Sequence, residues 1–258
     1  MEDLKELIKA IDAVDAELVA SLQKRLEITA KIAEYKAETG AELFCPERED
    51  EKLEVLRKIL GDYPYAEYVV SLFRDIMDNS KLQQSRTIFG TKDIFLIGMP
   101  GCGKSVIGEE LADKTYRDFY DMDSLYRETY GISPADMIKK YGESAFRYKE
   151  TELLRNLSGS EDARNFKDKG RIISCGGGIV VRDENKELLK KNSIVIYIRR
   201  DLKNLSSKGR PLSASIGVEK LYEQRASKYE GWSDITIVND EDIDSCINKI
   251  LKELKSIK

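Results

Sequence analysis

Histidine is absent from this 258-residue chain. That removes the side chain most used as a general base near neutral pH, and the commonest imidazole metal ligand with it. Any chemistry must run on carboxylates, lysine, arginine, hydroxyls or backbone amides. Cysteine is scarce and scattered: Cys45, Cys102, Cys175 and Cys246 form no CxxC pair. Such spacing argues against a zinc site or a disulfide framework and predicts free thiols in a reducing, cytoplasmic setting. No apolar run approaches the roughly 18 residues that span a bilayer, and Met1 leads straight into EDLKEL, unlike a signal peptide. A membrane partner is therefore not expected. Nor does one charge sign dominate: 43 Lys and Arg stand against 47 Asp and Glu, for a net charge of −4. With both signs interspersed, no nucleic-acid-binding tail is expected. No internal repeat or low-complexity tract stands out.

What is present falls into two textures. Residues 1–86 read as helix alone. Leu4, Leu7, Ile11, Val14 and Leu18 recur at spacings of three and four, and Ile28, Ile32 and Tyr35 resume the stripe. Gly40 ends this helix after about 37 residues, roughly 55 Å of length. A three-helix monomer of this size cannot cover so long a stripe, which predicts a second chain. Pro46 suits the first position of a second helix, with Glu47 and Glu49 in its first turn and Gly61 after its end. A third helix is expected from Ala66 to Gln84. The run SRTIFGTK (85–92) reads as a connection, giving a helical domain at 1–86, a linker at 87–92 and a second domain at 93–258. From Asp93 short apolar strands alternate with helices: DIFLIG (93–98), DFYD (118–121), RIISC (171–175), SIVIYI (193–198) and DITIV (234–238). That alternation predicts an α/β domain with a five-stranded parallel sheet covered on both faces.

Gly98-Met99-Pro100-Gly101-Cys102-Gly103-Lys104-Ser105 fits GxxxxGK[ST], follows an apolar strand and opens a helix. Its backbone N–H groups can wrap a phosphate chain, Lys104 can neutralise β/γ oxygens and Ser105 can hold Mg²⁺. The loop implies nucleoside triphosphate binding without naming an acceptor. Asp121 and Asp123 end the second strand, at the edge where open α/β sheets bind ligands; they could serve metal and acceptor, or simply cap the next helix. Arg147 and Glu150 lie three apart on one helix face, as an aimed guanidinium or as a surface ion pair. Gly176, Gly177 and Gly178 directly follow a strand and allow close approach of a ligand. Arg210 sits in the polar loop SSKGRPLS (206–213), and Arg225 in the helical stretch beyond.

Over residues 93–258 these features, with Gly142-Glu143, Phe146, Arg210-Pro211-Leu212 and Tyr229, resemble shikimate kinase. The resemblance implies a P-loop kinase that binds ATP through Gly98, Pro100, Gly101, Cys102, Gly103, Lys104, Ser105 and Val106. Arg147 and Arg225 would clamp the shikimate carboxylate, with Gly176 to Gly178 against the ring. Asp123 would bind the acceptor hydroxyl and take its proton, Asp121 would support Mg²⁺ with Ser105, and Arg210 would act with Lys104 on the transferring phosphoryl group. The family's additional lid arginine is missing, with Ser206, Ser207 and Lys208 in that region. A P-loop kinase for another small hydroxy acid, such as gluconate, is the rival.

In the first half, Arg25 and Lys36 are about three helical turns apart and so share a face; Arg48 and Glu49 open the second helix, and Ser80 and Gln84 share a face of the third. Each alone also fits a solvated charge. Together with IDAVDAELVASLQKRLEITAKIAEYK, PEREDE and DNSKLQQ, they resemble the all-helical chorismate mutase family over residues 4–86. That resemblance implies an intertwined three-helix homodimer, in which Arg25, Lys36, Arg48 and Gln84 act on chorismate and Glu49 and Ser80 complete its pocket. Two positions depart from the family. Ile8 stands where the first helix usually supplies an arginine to the partner's site, and Cys45 where an aspartate commonly precedes PxRE. One missing charge-assisted hydrogen bond costs about 1.5–3 kcal/mol, or roughly one to two decades in rate. The expectation is a bifunctional enzyme; the alternative is a kinase whose helical domain is a non-catalytic dimerisation module binding chorismate or prephenate.

Overall fold

The computed structural model describes residues 3–158, 168–205 and 217–257, and the chain divides into two compact units, Met1–Ile88 and Phe89–Lys258. Among the described residues no helix is long and apolar enough to cross a membrane.

In the first unit, α1 (Leu4–Thr39) starts at Asp3, whose side chain accepts from Lys5 N, and ends at Gly40 in the left-handed conformation, φ 74°. Only Thr29 and Ala33 of its 36 residues are buried. Leu4, Leu7, Ile11, Val14 and Leu18 stay between 47% and 69% exposed, so the stripe read from the sequence has no cover within the unit. Helix α2 (Pro46–Leu60) has proline in its first turn, where a missing N–H costs nothing, and Gly61 after its end. A small core of Leu53, Val70 and Met77 joins it to α3 (Ala66–Phe89).

Helix α3 runs five residues past Gln84, through the stretch expected as a connection. Ser, Arg and Thr there read as loop, but Ser85, Ile88 and Phe89 are buried. Beyond it, the buried Arg117 holds the chain, donating to the carbonyls of Phe89 (2.9 Å), Gly90 (3.0 Å) and Lys92 (2.7 Å).

The second unit is a five-stranded parallel sheet in the order β2-β3-β1-β4-β5, formed by β1 (Asp93–Ile97), β2 (Asp118–Asp121), β3 (Arg171–Ser174), β4 (Ser193–Arg199) and β5 (Ile235–Val238). The three central strands β3, β1 and β4 carry the apolar runs and are buried almost throughout. Around the sheet lie α4 (Lys104–Thr115), α5 (Met122–Tyr130), α6 (Pro134–Tyr141), α7 (Glu143–Ser158), α8 (Asn185–Lys190), α9 (Val218–Trp232) and α10 (Ile243–Ser256). From β1 the chain passes over β3 to β2, returns to β3 beside β1, and then crosses β1 to β4. The crevice at the carboxyl end of β1 is thus the topological switch point where such sheets bind ligands.

Candidate active site

A cavity of about 670 Å³ opens at that crevice. The loop between β1 and α4 forms its floor. Gly98, Gly101 and Gly103 take φ of 145°, 86° and 99°, which a side chain would strain. At Gly98 a Cβ would also lie 2.4 Å from the Ile198 carbonyl oxygen. Lys104 is buried, and its ammonium donates to the carbonyls of Gly98 and Met99, both at 3.0 Å. Of the loop residues expected to bind ATP, Pro100, Gly101, Gly103, Lys104, Ser105 and Val106 line the cavity. Cys102 does not: its side chain is fully buried, and its carbonyl accepts from Asn239 Nδ2 at 2.8 Å. Asn239, just after β5, thereby braces the loop from below.

Asp121 satisfies both alternatives left open by the sequence, one oxygen for each. Oδ1 caps α5, accepting from the N–H of Asp123 (3.0 Å) and Ser124 (3.2 Å). Oδ2 accepts from Ser105 Oγ at 2.7 Å, and Ser105 also lies 3.2 Å from Ser174 Oγ. A hydroxyl and a carboxylate oxygen side by side are hard donors suited to Mg²⁺. Asp123, one residue into α5, opens on the same cavity. The enclosing walls, and then the neighbouring Asp121, raise its pKa above the usual carboxylate value, although Lys104 and Arg147 pull the other way.

On the acceptor side Arg147 is 6% exposed and locked. It donates to Glu143 Oε1 from Nε and Nη2 (both 3.1 Å) and to Glu150 Oε2 from Nη1 (2.6 Å). Burial alone would lower its pKa; the two carboxylates more than offset this and raise it. This is a buried, aimed guanidinium and not a surface ion pair. The glycine triplet is shaped around it. A Cβ on Gly178 would meet Arg147 Nη2 at 2.0 Å, one on Gly176 would meet Glu150 Oε1 at 2.8 Å, and one on Gly177 would meet the Pro100 ring at 2.6 Å. The Gly177 carbonyl accepts from Arg225 Nη1 (3.1 Å) and from the Tyr229 hydroxyl. Arg225 therefore reaches the cavity from α9 and holds the triplet as well. Arg210, with the lid stretch 206–213, lies outside the described residues.

In the helical unit the expected residues gather around α1. Arg25 Nη1 donates to Ser80 Oγ and to the Ile76 carbonyl (3.4 Å), and Lys36 Nζ donates to the Leu43 carbonyl (2.7 Å). Burial lowers the Lys36 pKa first, and Arg48 lowers it further. Lys52, which the sequence patterns did not single out, is lowered in the same way by burial, Arg25 and Arg48. Arg48 thus acts on both Lys36 and Lys52, and Arg25 on Lys52, a clustering of positive charge that favours an anion. Glu49 accepts from Lys81 at 3.0 Å. Gln84 is buried beside Ser80, donating to its carbonyl at 3.3 Å, while its Oε1 has no partner among the described residues.

Comparison with known proteins agrees with this division. Residues 100–255 match the family model "Shikimate kinase", and residues 7–85 match "Chorismate mutase type II". A shikimate kinase of Enterococcus faecalis is 37% identical over 175 residues, covering 64% of this chain and 99% of that protein. One from Clostridium beijerinckii is 36% identical over 163 residues, with 61% and 91% coverage. Among solved structures, a shikimate kinase from Acinetobacter baumannii in complex with shikimate superposes with a TM-score of 0.60 at 26% identity, covering 67% of this chain and 98% of its own. The enzyme from Aquifex aeolicus gives 0.53 at 27% identity, with 64% and 97% coverage. The family match spans more than half of the sequence and the relatives are covered almost end to end, so the chain belongs to the shikimate kinase family, with a chorismate mutase type II domain ahead of the kinase.

Proposed function

We propose that the second unit transfers the γ-phosphoryl group of ATP to a hydroxyl of shikimate, giving ADP and shikimate 3-phosphate, and that the first unit rearranges chorismate to prephenate. One observation carries the kinase assignment: the P-loop shares its cavity with Asp123, the locked Arg147, Arg225 and the glycine triplet. Two guanidinium groups facing one cavity suit an anionic acceptor, and a neutral nucleoside would have no carboxylate to offer them. Arg147 and Arg225 bind the acceptor's carboxylate and orient the ring over Gly176 to Gly178. Asp123 accepts the proton of the attacking hydroxyl as its oxygen bonds to phosphorus and the bond to the ADP oxygen breaks. Lys104 leaves the Gly98 and Met99 carbonyls for the phosphate oxygens. Ser105 and Asp121 would hold Mg²⁺, which supplies neutralisation of the β/γ oxygens. Arg210 is assigned to the transferring group by resemblance alone. The acceptor is tested by coupled ADP release: kcat/KM for shikimate should exceed that for gluconate by at least about 10²-fold. Equal turnover of the two acids would show the clamp is wrongly assigned.

The mutase reaction is unimolecular and needs orientation and charge complementarity without a general base, which suits a histidine-free cluster of Arg25, Lys36, Arg48 and Gln84, with Glu49 and Ser80 at its edge. The open apolar stripe on α1 supports a homodimer through the N-terminal helices, with the protein in the cytoplasm. Ile8 is 49% exposed on that helix, where the partner's site would need a cation. Ile8→Arg should therefore raise chorismate turnover by roughly one to two decades, followed as loss of chorismate absorbance. No gain, or a loss, would contradict both the register and the dimer.

A further inference from the structure

Arg200, the residue after β4, forms part of the wall of the kinase cavity, and neither the family pattern nor the sequence motifs assign it a task. Its Nε is buried without a hydrogen-bond partner among the described residues. Among the described residues, the other arginines and the lysine that serve the proposed reaction are engaged: Lys104 with two loop carbonyls, Arg147 with two carboxylates, Arg225 with the Gly177 carbonyl. The adjacent Asp201 does not pair with this Nε; its Oδ1 accepts from Lys203 N at 3.0 Å and caps the short turn Leu202–Asn204. A guanidinium nitrogen left unpaired in a protein cavity is costly and calls for a partner that arrives with a ligand.

The sheet order says which ligand. Strands β2 and β3, which deliver Asp121, Asp123 and the glycine triplet, lie on one side of β1; β4 lies on the other. The end of β4 abuts the phosphate loop, since the Ile198 carbonyl sits 2.4 Å from where a Gly98 Cβ would stand. Arg200, two residues further on, therefore lies beside the phosphate loop, on the opposite side of β1 from Asp123 and the glycine triplet. A planar, always charged fork in that place matches phosphate oxygens. We infer that Arg200 is a donor-binding residue of this chain whose guanidinium contacts the phosphate chain of the nucleoside di- or triphosphate. This rests on the kinase assignment for its location, but its test needs only nucleotide binding.

The full chain and its Arg200→Met and Arg200→Lys variants are titrated calorimetrically with ADP and with adenosine, and KM for shikimate is measured at saturating ATP. Arg200→Met keeps the aliphatic stem and should raise the Kd for ADP at least about tenfold, leaving adenosine affinity and the KM for shikimate within about twofold. Arg200→Lys should recover part of the ADP affinity. Unchanged ADP binding would overturn the inference. So would an equal loss for ADP and adenosine, which would move the contact to the base or ribose, and so would a loss confined to shikimate. A variant that melts at lower temperature and loses all three ligands alike would make Arg200 structural, again overturning the inference. If the parent chain binds ADP but transfers nothing to shikimate, the kinase assignment fails while the ADP comparison still decides the role of Arg200.

Discussion

Asp123→Asn is expected to lower kcat for shikimate phosphorylation by about 10²–10⁴-fold, the usual contribution of a positioned general base. Asparagine keeps the size and the polar contact but cannot accept the hydroxyl proton, and no histidine is available to replace it. ADP affinity should be preserved, because Asp123 belongs to the β2 side of the cavity and the phosphates to the loop after β1. The pH profile gives a second readout. The carboxylate form is the active one, and its pKa is raised by the enclosing walls and by Asp121. Activity should therefore be full above that raised value and be lost as pH falls through it, with the acid limb of kcat/KM lying above the ordinary aspartate pKa of about 3.9. A variant retaining more than a few per cent of kcat, or an acid limb at the ordinary value, would remove Asp123 from the proton-transfer role.

Arg147→Ala carries the second large effect, and it has two parts. The guanidinium is the anchor for the acceptor's carboxylate, so KM for shikimate should rise by about 10–10²-fold, matching the loss of charged hydrogen bonds. The same substitution strands Glu150, which is 3% exposed and faces Arg147 at 2.6 Å. Breaking a buried pair by removing one partner destabilises by about 3–5 kcal/mol. Denaturant unfolding and ADP titration separate the two parts: the midpoint should fall, yet at temperatures where the variant is folded ADP should bind nearly as in the parent. Arg147→Lys restores a charge but not the fork held by Glu143 and Glu150, so it should recover stability more than KM. Parent-like KM in a folded Arg147→Ala would contradict the clamp.

Features that repeat or obey a strict spacing were legible in the sequence. The apolar runs of β1, β3 and β4 announce buried strands, Gly40 and Gly61 announce helix ends, and the loop from Gly98 to Ser105 announces its conformation because glycine is needed at each positive φ. Single side chains at the ends of elements were not legible. Asn239 and Arg200 follow β5 and β4 with no periodic signal, and only the sheet order shows that one braces the phosphate loop and the other meets its cavity. Lys52 looked like one more charge on a charged helix until α1 and α2 packed and set it near Arg25 and Arg48. The end of α3 misled for a related reason. Ser85 to Thr87 favour a loop locally, and burial of Ile88 and Phe89 overrides that preference. Asp121 shows that rival local readings need not exclude each other, since its two oxygens serve the helix cap and Ser105 separately.

Two chemistries in one chain is the central claim, and one preparation tests it. The full-length parent and its Asp123→Asn variant are each given ATP with shikimate and, separately, chorismate alone, with ADP release and chorismate loss followed side by side. The parent should carry out both reactions, and the variant should lose the first while chorismate conversion stays within about twofold, because the two sites use no residue in common. A parent that converts only one substrate, or a variant that loses both reactions together, would contradict the account.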